Sequence, residues 1–383
     1  MSFEIRRADL SALALGSGIL GTGGGGNSYY GQLVAGQIMS DTSSVRVIDV
    51  TEMDPESYAI SSAAIGAPLV CLEKPPSLRA LQIGLDSVAA VLKGRVGAFV
   101  TAEIGGLQCM FPLMLAAQTG IPLLDGDGIG RAFPEIQMCT FMIYGTTPGL
   151  PLALSGDSGL LLDARAHGDE TPRYDSPDEP SGIGMERRLR KICSDNGGLI
   201  YMTTTFDHKS LVRTLIRGTI GLTLALGRAV ESARSARKDP IAAIVEAGQG
   251  KRFIGGKIID VERRFRAGHD WGKVLLEGVD DDKGRIAEIA FKNEYLILGI
   301  GDAVALTVPD LITLVETETG NPVTTEILRP GLRVTVVGLP CSPLMKTTKA
   351  LKAVGPKAFG YDLPYIGLHI SGAGDERCLT KSR

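Results

Sequence analysis

"LGSGILGTGGGGNSYYG", Leu15 to Gly31, decides how the first half of the chain is read. It holds two overlapping matches to the dinucleotide fingerprint: Gly16, Gly18 and Gly21, then Gly21, Gly23 and Gly26. That fingerprint works where a strand feeds a tight turn and the next helix points its N-terminus at a pyrophosphate. Two features agree with it. A helix-like "NSYYGQLVAGQIM" follows, and Asp49 closes "VRVID" about where a ribose-binding acid would stand. The preceding "RADLSALALGS" opposes it, because an aspartate cap and apolar spacing predict a helix where a strand is needed.

The competing reading is a glycine loop between two helices. It has two forms. In one, the backbone amides of Gly23, Gly24, Gly25 and Gly26 hold an oxygen of a small substrate. In the other, the glycines permit a helix crossing that tolerates no side chain.

Outward from this loop, β-rich runs alternate with helical ones through about residue 240. "VRVIDV" (Val45–Val50), "APLVCLE" (Ala67–Glu73), "RVGAFVTAE" (Arg95–Glu103) and "IPLLDGDG" (Ile121–Gly128) predict buried strands. "SLRALQIGLDSVAAVLK" and "FPLMLAAQTG" predict the helices between them, and "GMERRLRKICSDNGG" and "TLIRGTIGLTLALGRAVESARSARK" two more. This rhythm predicts an α/β fold with a mainly parallel sheet layered with helices. From Phe253 short alternating strands with glycine and aspartate turns predict a second, β-rich and barrel-like domain. The expected division is 1–245, 246–350, and a C-terminal segment 351–383 that returns to the first domain. The polar, proline-rich stretch Asp163–Gly184 is expected to be an exposed loop.

Composition bounds the function. The chain has 383 residues, 44% hydrophobic and 22% charged, with a formal net charge of -3 and both signs dispersed. That gives no electrostatic footprint for nucleic acid or an anionic membrane. Six cysteines without paired spacing suit a reducing compartment. "RRADLSALALGSGIL" imitates a secretory signal, but Asp9 interrupts it and glycines stand where the cleavage site belongs, so a cytoplasmic location is expected. The residues leave a homo-oligomer open.

Ligands of open α/β sheets lie beyond the carboxyl ends of the strands. Two predicted strands end there in acids followed by glycine: "VTAEIGG" supplies Glu103, and "IPLLDGDGIGRAFPEIQ" supplies Asp125 and Asp127. Arg131, Glu135 and Gln137 follow. Charge at such positions needs compensation for its desolvation, by substrate or by local partners. The local alternative has Asp125 capping a helix and Arg131 bridging to Glu135. The histidines show no metal-ligand spacing; His208, after the strand "GLIYMTTTF", is the one placed to approach a site. Cys139 reads as buried packing. Asn293 and Glu294 in "FKNEYLI" are polar residues inside a β pattern, bracing the second domain or lining its junction with the first.

Taken together, "GTGGGG", "DGDGIGRAFPEIQ", "FKNEYLI…GDAVALTVPDLITLVETETGNPV…LRPGLRVTVVGLP" and "GPKAFGYDLPY" resemble the S-methyl thiohydantoin desulfurase family along nearly the whole chain. The resemblance implies an α/β domain joined to a barrel-like one, and hydrolysis at C2 of a hydantoin- or thiohydantoin-type ring with thiol release. It implies Glu103 or Asp125 as base, and Asp127 and Glu135 as proton handlers or metal ligands. Arg131, Gln137 and the Gly23–Gly26 amides would orient the ring. A divalent metal, with Asp125, Asp127 and His208 as candidate ligands, is the alternative activator of water. Family members tend to have asparagine where Gln108 stands, so family and individual substrate are kept apart. The alternative function is a non-catalytic accessory partner of a hydantoinase/oxoprolinase-type enzyme; a dinucleotide-dependent enzyme is the third reading.

Overall fold

The computed structural model describes residues 2–66, 70, 73–145, 149–165, 182–266 and 268–369. Strand β1 (Phe3–Arg6) leads into helix α1 (Leu10–Leu20), and α2 (Ser28–Ile38) follows the glycine loop. Gly16 and Gly18 therefore lie inside a helix, and the strand that a dinucleotide cradle requires before them is a helical turn. That overturns the dinucleotide reading. Asp49 serves locally, accepting from the Thr51 amide at 2.9 Å.

Strands β2 (Ser44–Ile48), β3 (Tyr58–Gly66), β4 (Val96–Phe99) and β5 (Leu123–Leu124) form the parallel block of an eight-stranded sheet, in the order β2-β5-β4-β3. β6 (Gly126–Asp127) pairs outside this sheet, antiparallel with the short strand β10 (Ile216–Arg217). β7 (Gly149–Gly156), β8 (Leu161–Arg165) and β9 (Leu199–Asp207) complete the sheet as an antiparallel wing beside β3, and β1 lies antiparallel on β2. The strand expected at Ala67–Glu73 falls mostly outside the described residues, as does most of the 163–184 loop.

Helices cover both faces. On β9, alternate residues point to opposite sides. Thr203 meets Gly84 of α3 (Leu78–Val91), while Met202 packs with Leu189 of the helix Ile183–Asp195. Helix α4 (Met110–Thr119) shares the α3 face, where Phe111 meets Tyr201 edge-on with ring centroids 5.7 Å apart. After α5 (Thr140–Ile143), the helix Ile183–Asp195 is α6, and α7 (His208–Thr214) and α8 (Thr219–Ser235) follow. The long helix expected from Thr214 is thus broken at Gly218, whose φ is +80°. α8 crosses α1 so closely that a Cβ on Gly16 would collide with the Thr223 carbonyl, and one on Gly227 with the Ala12 carbonyl. At this crossing the glycines serve packing.

Helix α9 (Pro240–Ala247) leads into the second sheet, seven antiparallel strands in the order β15-β14-β13-β12-β11-β17-β16. They are β11 (Lys251–Arg266), β12 (His269–Gly278), β13 (Ile286–Lys292), β14 (Glu294–Ile300), β15 (Ala303–Thr307), β16 (Leu311–Glu316) and β17 (Arg333–Leu339). Curled into a half-barrel, it wraps its own core of Ile258, Val274, Ile289, Leu298, Leu314 and Val336. Its outer residues Leu296, Ile297, Val337 and Leu339 join the core of the α/β part. The C-terminal stretch through α10 (Thr348–Val354) reaches back, stacking Phe359 on Phe133 at 6.2 Å. Among the described residues no helix is long and apolar enough to cross a membrane.

Candidate functional site

β3 and β4 pair only as far as Ile60 and Phe99, and Val100 closes the pairing on the Ile60 carbonyl at 2.9 Å. Beyond that point β3 continues to Gly66 while the β4 chain turns away. A cavity of about 140 Å³ opens in the fork, at the carboxyl end of the parallel block, where α/β sheets hold ligands.

Apolar side chains line most of it, among them Leu107, Phe111, Ile129, Phe133, Tyr201 and Met202. The polar lining includes Glu103, Gln108, Glu135, Arg190, Asn293 and Glu294. Gln108 fills the place of the missing strand. Its amide accepts from the Ala64 N–H at 3.0 Å and donates to the Ala64 carbonyl at 2.9 Å, satisfying a backbone edge that β4 has left.

The glycine loop fixes how these parts meet. Gly23, Gly25 and Gly26 have positive φ, and the loop's backbone is engaged on two sides. On one side the Leu107 amide donates to the Gly25 carbonyl at 3.0 Å and the Gly106 amide to Ser17 at 2.8 Å. On the other the Tyr295 amide donates to Thr22 and the Thr325 amide to Gly23, both at 2.8 Å. Gly25 and Gly26 line the cavity. Gly24 lies against the Glu294 carboxyl and Gly23 against the Tyr295 ring, so a Cβ at either would strike them.

Glu294 comes from the half-barrel. β13 ends at Lys292 and β14 begins at Glu294, leaving Asn293 as a one-residue turn at φ +56°, in the left-handed region that asparagine tolerates. Asn293 is held by its backbone and side chain, accepting from the Asp270 amide at 2.8 Å and donating its own amide to Asp270 at 2.8 Å. The hairpin tip thus delivers a carboxyl into the α/β domain. Burial raises the Glu294 pKa to about 8, with Arg131, Lys292 and Arg190 pulling the other way. Its Oε2 is buried without a hydrogen-bond partner.

Glu103 faces the same cavity from the loop after β4, its Oε2 accepting from the Phe133 amide at 3.2 Å. Burial first, and then the charge of Glu294, hold its pKa well above the ordinary value. Glu294 thus acts on Glu103: once it is ionised, its charge holds the proton on its neighbour.

Of the other expected residues, Glu135 lines the cavity, as do Gly25 and Gly26, and Asp125, Asp127, Arg131 and Gln137 lie outside its lining. Asp127 is fully buried behind the cavity, and its Oδ2 accepts from the amides of Ile104, Ile129 and Gly130 at 2.9, 3.0 and 2.8 Å. It knots together the loops that carry Glu103 and Arg131, while burial lifts its pKa to about 7. Asp125 accepts from the Gly221 amide at 3.0 Å at the start of α8. Arg131 is spent on structure: it donates to Thr22 (2.8 Å), Tyr295 (2.9 Å), Ala132 (3.0 Å) and Asp310 (2.9 Å), binding the glycine loop to the half-barrel. Gln137 is buried and donates to Glu135. Glu135 lines the cavity and pairs with Lys292 across the domain junction, with His269 Nε2 at 3.8 Å. Burial, then Lys292 and Arg190, depress that histidine to about 3, so it is neutral.

His208 Nε2 contacts the Val50 carbonyl at 3.1 Å. Among the described residues no three His, Cys, Asp or Glu side chains gather as a metal-binding group. Cys139 touches the cavity, but burial pushes its thiol up to about 12, leaving it neutral.

An α/β sheet joined to a curled β half-barrel, with a small cavity between them, defines the class. Models of the S-Me-THD-like N-terminal and C-terminal domains match residues 8–162 and 180–368, so the chain belongs to this family, whose name fits thiohydantoin desulfurase. A protein from Chromobacterium violaceum, solved by X-ray crystallography, shares the fold. Its TM-score is 0.76 at 23% identity, covering 95% of this chain and 99% of that one. No curated protein matches the chain.

Proposed function

We propose that the protein hydrolyses S-methyl thiohydantoin-type rings at C2, with Glu294 as general base and Glu103 as general acid. The observation that carries this reading is the buried carboxyl pair facing one small, mostly apolar cavity. A cavity of about 150 Å³ in a protein core takes a benzene ring, so a five-membered ring suits this one in size. Burying two carboxyls costs stability and contributes nothing to packing, whereas pairs whose pKa values are pushed apart divide acid and base roles.

The roles follow from the surroundings. Glu294 has Arg131, Lys292 and Arg190 about it and gives up a proton first. The charge it then carries holds the proton on Glu103. Ionised Glu294 takes a proton from water as the oxygen bonds to C2, and Glu103 protonates the ring nitrogen as the C2=N double bond opens. Glu294 then gives its proton to sulfur as the C2–S bond breaks and methanethiol departs, while ionised Glu103 takes the hydroxyl proton as C2=O forms, which restores both carboxyls. One water is consumed, and one hydantoin and one thiol are produced. The unpartnered Glu294 Oε2 offers an acceptor to the water or to a ring N–H.

The full chain incubated with an S-methyl thiohydantoin should release thiol and hydantoin in equal amounts. Glu103→Gln and Glu294→Gln should each slow release by about 10²- to 10⁴-fold. Binding of the ring with no thiol release by the unaltered chain would sink the hydrolase reading and favour the accessory role.

A further inference from the structure

Lys292 and Glu294 stand directly opposite one another across the one-residue turn at Asn293. Directly opposed residues of an antiparallel pair present their side chains on one face, with Cβ atoms about 5 Å apart. Lys292 is buried, its ammonium lies 5.0 Å from the Trp271 ring centroid and 5.9 Å from that of Phe359, and its ion-pair partner is Glu135. A buried ammonium beside one buried and one half-buried carboxyl has thus been committed to the half-buried one, Glu135. The other, Glu294, keeps an oxygen without a partner.

We propose that Lys292 and Glu135 are positioning residues that set the charge of Glu294: Glu135 draws the ammonium away, and the remaining attraction of Lys292 limits how tightly Glu294 holds its proton. The inference rests on Glu294 acting as the base. The charged groups around Glu294 are Lys292 beside it, Arg131 and Glu135 on the loop from 131 to 135, and Arg190 on α6; Glu103 on the loop after β4 holds its proton, and His269 on β12 is neutral. Arg131 and Arg190 are held by fixed partners, Arg190 by Glu186 at 2.6 Å and the Pro134 carbonyl at 2.7 Å. Lys292 and Glu135 therefore form the adjustable couple, since loss of either leaves the other to respond to Glu294.

The two substitutions should act in opposite directions. Lys292→Met removes the attraction and should raise the pH midpoint of Glu294 ionisation by about one unit. Glu135→Gln frees the ammonium for Glu294 and should lower it by about one unit. A merely structural pair would reduce turnover in both variants without moving the midpoint, and Lys292→Arg should restore it toward the unaltered value.

The experiment is a pH titration of the full-length protein by infrared difference spectroscopy. The protonated Glu294 carboxyl band is identified by its loss in Glu294→Gln, and the pH dependence of thiol release is measured alongside. Opposite shifts of the band midpoint support the inference. Midpoints that stay fixed, or move the same way, overturn it. Shifts in the band from a protein that releases no thiol would leave this inference standing and defeat the hydrolase reading instead.

Discussion

Glu294 and Asp310 are carboxyls buried in the same half-barrel, and their surroundings drive them in opposite directions. Asp310 is fully buried, yet its Oδ1 accepts from the Cys341 amide at 2.8 Å and its Oδ2 from the Leu368 amide and the Tyr365 hydroxyl, both at 2.7 Å. Lys346 lies 3.2 Å away. Burial alone would raise its pKa, but these donors outweigh it and hold the group below the ordinary value. Glu294 has cations near it but an oxygen with no donor, and its pKa rises. Burial alone does not mark a working acid. Asp310, with its hydrogen bonds made, fastens the chain, whereas Glu294 faces the cavity with one oxygen open to a ligand.

Exchanging the charge at each end tests that distinction. The largest effect expected is the loss of turnover in Glu294→Gln, with the fold retained. Glu294 has a folded pKa of about 8 against an ordinary 4.5, so the folded chain binds an extra proton between those values. Its contribution to stability is complete below about 4.5 and disappears as pH rises through about 8. Glu294→Gln should therefore lose less thermal stability than the unaltered chain on going from acid to alkaline pH, as melting curves would record. An unchanged pH slope would break the comparison.

Asp310→Asn should behave the other way. It leaves Lys346 without its partner and replaces one acceptor oxygen by an NH2, which faces a buried amide, costing about 3 kcal/mol in denaturant unfolding, with turnover per folded molecule kept. Because the folded pKa of Asp310 is depressed, its contribution is present above about 3.8 and is lost as pH falls through the lower folded value. Stability of Asp310→Asn equal to that of the unaltered chain near neutral pH would show that the contacts are incidental.

The glycines sharpen the same contrast. Gly24→Ala pushes on the Glu294 side chain, which can move, and should reduce turnover by about 10- to 100-fold with little change in melting. Gly227→Ala pushes on the α1 backbone, which cannot, and should cost about 1–3 kcal/mol of stability with turnover per folded molecule unchanged. The smallest effect belongs to Cys139→Ser: a neutral thiol has no nucleophile to lose, so the rate of thiol release should stay the same.

Much of this is legible in the sequence. The apolar spacing of "RADLSALALGS" predicts a helix and opposes the nucleotide reading, and α1 is that helix, though the Asp9 side chain turns back to the Arg6 amide and does not cap it. The alternation of runs and the change of texture near Phe253 predicted the α/β sheet and the β-rich part, which the two sheets supply. Glu103 was legible as an acid at a strand end followed by glycine. Asp125 and Asp127 carried the same signal, yet local amides claim them, because sequence spacing does not say which backbone N–H groups a loop will turn inward. Glu294 was visible as a polar residue inside a β pattern, with an asparagine before it able to take a left-handed turn. Its distance along the chain from Glu103 hid the pairing.

By itself the sequence determined the features that local periodicity and backbone preference dictate, namely the elements and the glycine bend, together with the family resemblance that runs along both sheets. Only the tertiary structure decided which acids meet. The fork between β3 and β4, the α1–α8 crossing and the tip at Asn293 bring Glu103 and Glu294 to one cavity from two sheets. Mutual repulsion and burial act over a few ångströms of space, a separation that the order of residues does not contain.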